Sequence, residues 1–404
     1  MEDHVLDNIQ LCECGKKHTL ETEVVKVCDN AFDMLLEFLQ SPKYSKILII
    51  SNKALDCYSD KIFSLESQNK HIEIVLIPSC KATIEMANTI VYHGEDLVVA
   101  IGGEELISVC KYYAFCENVP LVIFPIGNFT DFTFSSFSRM FDGAMFNFYF
   151  TKEPIAIFVS LSQNKLNNYQ TYYISSKFIA LFDNIVSECV YENHSCQRMI
   201  DFFYQTLNNY ISNRNYSNIN IRNIWTLIRL GQAMTFFGET KYFFGGDKPV
   251  CDLLQCKCAE GDFLELESVA LKLVINSYAC FLKNPLNKNV VDLNKHILIT
   301  QRLLKIPSTE VIKRMCDSKL LSLQENVERN LNNFHPYLKR QFEKIMSKVF
   351  KIQTTFCLSE NVLLKNKFTH EKVQNCFAIA PNFYSRPTLL HLIESYGFMD
   401  KLFE

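Results

Sequence analysis

The chain has 404 residues, more than a single hydrophobic core usually supports, so two domains are expected. Hydrophobic residues at 48% and charged residues at 21% are ordinary globular usage, and a formal net charge of -3 excludes a broad attraction to nucleic acid or anionic lipid. No apolar run reaches the roughly 20 residues of a spanning helix, and the start, MEDHVLDNIQ, lacks the basic-then-apolar order of a signal peptide, so the expectation is a cytoplasmic protein without a membrane span.

In chain order, the first chemistry-bearing group is Cys12, Cys14 and His18, and a second cysteine group follows at Cys251, Cys256 and Cys258. Either could hold zinc, but neither forms a paired CxxC…CxxC arrangement. Sixteen cysteines in a long chain without an export signal read as reduced thiols that serve packing, so no metal is assigned to them. Short β-rich runs then recur from about residue 45: KILII at Lys46, IEIVLI at Ile72, DLVVAI at Asp96 and PLVIF at Pro120. Helical stretches lie between them, KATIEMANTIVYH after Lys81 and EELISVCKYYAF after Glu104, an alternation that predicts a parallel sheet with crossover helices. The segment MFNFYFTKEPIAIFVSL reads as a hairpin turning around Lys152 to Pro154, which closes a Rossmann-like α/β domain over residues 1–163.

Beyond about Asn164 long amphipathic runs take over, among them YYISSKFIALFDNIVSECVY, NIWTLIRLGQAMTFF, LESVALKLVINSYACFL and LKRQFEKIMSKVF, so residues 164–404 are expected to be an all-α domain. Pro307, Pro336 and Pro381 are read as connections between helices, and the asparagine-rich stretch from Asn208 to Asn220 as a loop.

Three segments, CECGKKHTL at Cys12, VVAIGGEELISVCKY at Val98 and GQAMTFFGETKYFFGGDKP at Gly231, resemble the glycerol-1-phosphate dehydrogenases. That family sits in the dehydroquinate-synthase-like superfamily with the iron-containing alcohol dehydrogenases. The resemblance implies a doubly wound nucleotide-binding domain, a helical C-terminal domain, NAD(P), a divalent metal, a small phosphorylated ligand such as dihydroxyacetone phosphate, and a homodimer.

The family's Gly-Gly-Gly/Ser-Thr turn lets a pyrophosphate approach bare backbone at a helix N-terminus. Here the turn is Gly102, Gly103, Glu104, Glu105, so two carboxylates stand beside the expected anion site and oppose phosphate binding. The same carboxylates are also ordinary partners of a helix dipole. In the next motif, PIGNFTDFTFSSFS, Asp131 and Ser135 hold the family's cofactor-side positions, Ile126 replaces threonine, and Phe132 stands where the family keeps glycine. A turn or cap role for Asp131 fits equally well.

The family's metal ligands, an aspartate and two histidines, correspond to Tyr173, Lys248 and Glu265, none of which completes an Asp-His-His set. Lys248 and Glu265 are therefore read as candidate cleft charges, the ammonium standing in for the cation and pairing with Glu265. The expected function is a diverged relative without metal-dependent dehydrogenase activity that acts as a binding, regulatory or assembly protein. Two enzymatic alternatives stand beside it. One is an active NAD(P)-dependent dehydrogenase interconverting dihydroxyacetone phosphate and glycerol 1-phosphate or a related pair, and the other a metal-free enzyme using Lys248 and Glu265.

Overall fold

The computed structural model describes residues 6, 8–52, 58–66, 70–78, 81–143, 145–164, 168–212, 218–257, 263–284, 293–304, 325–355, 370–383 and 386–398. They form two compact units: residues 1–166 with 212–239, and residues 167–211 with 240–404. The sequence reading drew a single cut between 163 and 164, whereas the first unit also includes Ser212–Glu239.

The first unit is built on strands β1 (Val24–Cys28), β2 (Lys46–Ser51), β3 (His71–Leu76), β4 (Leu97–Gly102) and β5 (Leu121–Pro125), interleaved with helices α1 (Ala31–Leu39), α2 (Ser59–Glu66), α3 (Ile84–Asn88) and α4 (Glu104–Cys116). A hairpin of β6 (Phe137–Phe141) and β7 (Phe146–Phe150) follows, and then β8 (Pro154–Ser160). The main sheet is six-stranded in the order β1-β8-β5-β4-β2-β3, and its pairs are parallel. Its central strands are apolar on both faces because helices cover both. One face buries Ile47, Ile49, Val99, Ile101, Val122 and Phe124 with Phe32, Leu35 and Leu39 of α1.

Three local expectations are corrected. The segment after Met145 does not fold on itself: β7 pairs antiparallel with β6, and β8 enters the sheet between β1 and β5. Burial explains the split, since β7 is buried only at Phe146 and otherwise half-buried or exposed, while β8 is buried along nearly its whole length. The stretch after Lys81 gives only the short α3, capped by the Thr83 side chain and closed where Thr89 donates its hydroxyl to the Met86 carbonyl at 2.7 Å. Pro336 is no connection but lies inside a helix, Glu325–Thr355. The 31-residue length of that helix and its packing along the first long helix of the same unit outweigh the one hydrogen bond that proline removes.

The second unit contains α5 (Asn168–Tyr191) and α6 (Gln197–Ser212), while α7 (Ile219–Phe237) belongs to the first. It continues with α8 (Asp247–Lys257), α9 (Phe263–Lys283), α10 (Leu293–Leu304) and helices Glu325–Thr355, His370–Ile379 and Leu389–Ser395. Pro381 lies in a short turn of 3-10 helix, Ala380–Phe383. Pro307, Cys258 and the middle of the asparagine-rich stretch, 213–217, lie outside the described residues. Among the described residues no helix is long and apolar enough to cross a membrane.

Candidate functional sites

Strand order reverses between β4 and β2, since the chain leaves β4 toward β5 and leaves β2 toward β3. The carboxyl ends of strands at such a point are where open α/β sheets bind ligands, and the Gly102–Gly103 turn lies there. Gly103 is the N-cap of α4. A Cβ on it would meet only ordinary contacts, Asn128 O at 3.7 Å and Ile126 O at 3.8 Å.

Glu104 is buried and its carboxylate turns toward the next loop. It accepts from the Thr130 backbone N–H at 2.8 Å, from the Thr130 hydroxyl and from the Thr133 hydroxyl at 3.3 Å. The Glu104 N–H itself donates to the Asn128 carbonyl at 3.4 Å. Glu104 therefore ties the glycine turn to the loop after β5, while Glu105 points to solvent. A helix N-terminus that carries a buried carboxylate and engages its first N–H internally does not fit a pyrophosphate in the way the glycine-rich turn of the family does.

The loop after β5 is equally committed. Asp131 is fully buried in a 3-10 turn, Asp131–Phe134. Ser135 donates its hydroxyl to the Phe132 carbonyl at 3.0 Å and to Phe137 O at 3.3 Å, and accepts from the Phe137 N–H at 3.1 Å. Phe132 turns its ring inward and stacks on Phe148 at 5.0 Å. Beneath them Lys111 of α4 is completely buried and donates to the carbonyls of Phe132 at 2.6 Å and Ser135 at 3.1 Å, and to that of Phe137. Burial pushes its pKa down to about 7, an effect that the nearby Glu104 charge opposes. Helix α7 reaches this turn through Gly231, where a Cβ would lie 2.3 Å from the Asp131 carbonyl oxygen.

In the second unit, Lys177, which engages Tyr173, and Lys248 approach one aromatic ring, that of Phe244. The Tyr173 hydroxyl accepts from the Lys177 ammonium at 3.0 Å. Lys177 Nζ lies 3.9 Å from the centre of the Phe244 ring, and Lys248 Nζ lies 5.8 Å from the same ring. Lys248, almost fully buried, is ion-paired with Asp252 one helical turn along α8. The side chain of Glu265 lies outside the described residues, although its backbone belongs to α9. A phenol engaged by an ammonium, beside a second lysine, is not a donor set for a divalent cation, which takes imidazole, thiolate or carboxylate. Tyr173 and Lys248 do not fit the metal that the resemblance implies.

The most concentrated polar group in this unit escaped the sequence reading. Asp183 of α5, fully buried, accepts from the Gly246 N–H at 2.8 Å and the Leu389 N–H at 3.0 Å, while the Tyr278 hydroxyl contacts both of its oxygens at 3.0 Å. Burial raises its pKa to about 6, and the Arg386 charge and the donors hold it from rising further. Arg386 donates to the Asn184 side chain and to the Phe244 carbonyl at 2.7 Å. Beside it Asp247 is pushed well above the carboxylate range, by burial first and by the charge and hydrogen bond of Glu267 next. The Cys251 thiol is hydrogen-bonded to Glu267 as well and is likewise pushed well up by burial. The sequence signal was a lone aspartate inside the apolar run FIALFDNIV.

A parallel sheet ordered in this way, followed by a helical unit, is a fold also found in solved alcohol and glycerol dehydrogenases. The likeness is direct: an iron-containing alcohol dehydrogenase from Corynebacterium glutamicum superposes with a TM-score of 0.56 at 11% identity, covering 96% of this chain and 95% of that one. The archaeal alcohol dehydrogenase ADH/D1 from a Red Sea brine pool gives 0.54 at 13% identity, covering 96% and 97%. A probable glycerol dehydrogenase from Sinorhizobium meliloti gives 0.52 at 14% identity, covering 90% and 98%. No protein-family model and no curated protein matches the sequence. At these identities the likeness establishes the fold.

Proposed function

We propose that this chain is a diverged relative of the glycerol-1-phosphate dehydrogenases that has given up metal-dependent dehydrogenase chemistry and acts as a cytoplasmic binding, regulatory or assembly protein, homodimeric like the family. The observation that carries the reading is the pair of lysines around Phe244: Lys177, which engages the Tyr173 hydroxyl, and Lys248. Two ammonium groups disfavour a dication at this ring, Lys248 being already ion-paired with Asp252, and the small phosphorylated ligand is carried over from the resemblance. The closed turn at Glu104 supports the loss of tight dinucleotide binding.

The test is a calorimetric titration of the purified protein with glycerol 1-phosphate and with dihydroxyacetone phosphate, alongside Lys248→Ala. Binding that needs no added metal and weakens at least tenfold in the variant, with the helical signal unchanged, supports the proposal. Turnover of either compound with NAD(P)H would overturn it in favour of an active dehydrogenase.

A further inference from the structure

The segment before β1 forms a small closed structure of its own. Ile9 and His18 pair as an antiparallel bridge, His18 N–H to Ile9 O at 2.9 Å and Ile9 N–H to His18 O at 2.8 Å. Inside this bridge the chain turns back sharply: Gly15 N–H donates to Cys12 O at 2.8 Å, Cys12 N–H donates to Lys16 O at 3.0 Å, and Gly15 takes φ +79°. Only glycine enters that region readily, so the Cys-x-Cys-Gly order makes a tight knuckle with both thiols on it.

The knuckle gathers metal donors. Cys12 Sγ, Cys14 Sγ and a ring nitrogen of His18 all lie within 4.8 Å of one another. The Cys14 Sγ to His18 Nε2 distance is 3.2 Å. A tetrahedral zinc ion with ordinary Zn–S and Zn–N bonds would hold such donors about 3.5 to 3.8 Å apart, a spacing these atoms reach with small rotations. Packing alone does not account for Cys14, an exposed residue.

An independent observation lies on the far side of the imidazole. His18, 1% exposed, has Nδ1 3.0 Å from the Phe236 carbonyl at the end of α7. A carbonyl only accepts, so Nδ1 carries the proton and Nε2 presents its lone pair to the Cys14 thiol. A carbonyl that orients the imidazole through its other nitrogen is the usual support of a zinc-bound histidine. The rings of Phe236 and Phe237, 5.4 Å and 4.9 Å from the imidazole, supply an apolar wall on one side of it.

We infer that Cys12, Cys14 and His18 bind one zinc ion, which clamps the N-terminal knuckle to the end of α7, with the fourth corner taken by water or a further donor. Both thiols lose their protons to solvent on binding, so two thiolates and one neutral imidazole hold the dication. The Lys16 to Glu239 ion pair at 3.1 Å fastens the same two pieces of chain from outside.

The experiment is elemental analysis of full-length protein purified without chelator, together with Cys14→Ser, Cys116→Ser and Lys248→Ala. About one zinc per chain is expected. It should fall to near zero in Cys14→Ser and stay unchanged in Cys116→Ser, an exposed cysteine elsewhere, and in Lys248→Ala. X-ray absorption at the zinc edge should show mixed sulfur and nitrogen ligation. Zinc that survives Cys14→Ser, or wild-type protein free of zinc with all of its thiols titratable, overturns the inference. Zinc lost in Lys248→Ala but kept in Cys14→Ser would instead place the ion at the family's catalytic position and contradict the proposed function.

Discussion

The buried centre of the second unit makes a sharp energetic prediction at Gly246. A Cβ added there would lie 2.4 Å from the Tyr278 hydroxyl oxygen and 3.2 Å from Leu390 Cβ. Overpacking of that kind costs about 1 to 3 kcal/mol. Pushing the hydroxyl away also breaks its hydrogen bond to Asp183, and a hydrogen bond to a charged group contributes about 1.5 to 3 kcal/mol. Gly246→Ala should therefore cost about 3 to 5 kcal/mol at pH 8, where Asp183, with its pKa pushed up to about 6, is ionised. Tyr278→Phe removes the clashing atom, so in that background only the contact with Leu390 remains and the same change should cost about 1 kcal/mol. The double-mutant cycle should close with a coupling of about 2 to 4 kcal/mol. Hydrogen exchange in graded urea, read on peptides from α5, α8 and α9, measures all four corners. Additivity within about 0.5 kcal/mol would refute the packing of Gly246, Tyr278 and Asp183 as described.

Two further predictions concern the first unit. Gly231→Ala drives a Cβ into the Asp131 carbonyl, a backbone atom with little room to move, and should cost more than about 3 kcal/mol or prevent folding. Gly103→Ala meets only van der Waals contacts and should stay within about 1 kcal/mol of the parent by urea unfolding. At Lys111 the folded pKa is lowered to about 7 from 10.5, so the unfolded chain binds the extra proton between those values. Stability should rise with pH from about 7 and lose this contribution below it. Unfolding followed at pH 7 and pH 9.5 should show a pH-dependent difference between wild type and Lys111→Met, and identical pH profiles would contradict the buried, deprotonating lysine.

How much of this was legible in the sequence depended on where each residue finds its partners. Strands β2, β4 and β5 announced themselves because burial on both faces demands unbroken apolar runs such as LVVAI, and the half-buried edge strand β3 was read from its apolar run IEIVLI. Strand β1 went unread: VVKVC is a half-buried edge strand whose single lysine breaks the run, and the α1 that follows was missed with it. The hairpin was misassigned because FNFYF and PIAIFVS are both apolar, and only tertiary burial separates a largely open hairpin strand from a central one. At the candidate sites, the glycine pair was visible as a local word, while the metal-ligand positions rest on the resemblance alone. The direction of the Glu104 side chain was not, since it is set by Thr130, a residue 26 positions away. Asp183 draws its donors from Gly246, Tyr278 and Leu389, up to 206 positions distant, which no local pattern encodes.

The central claim, loss of metal-dependent dinucleotide chemistry on a dehydrogenase fold, is tested most directly by titrating the protein with NADH and NADPH while following nicotinamide fluorescence. The titration is run with and without added zinc, nickel, iron or manganese, and oxidation by dihydroxyacetone phosphate is assayed in the same cuvette. The account predicts no enhancement and no oxidation under any metal. Saturable enhancement followed by metal-dependent oxidation, abolished by Lys248→Ala, would contradict it.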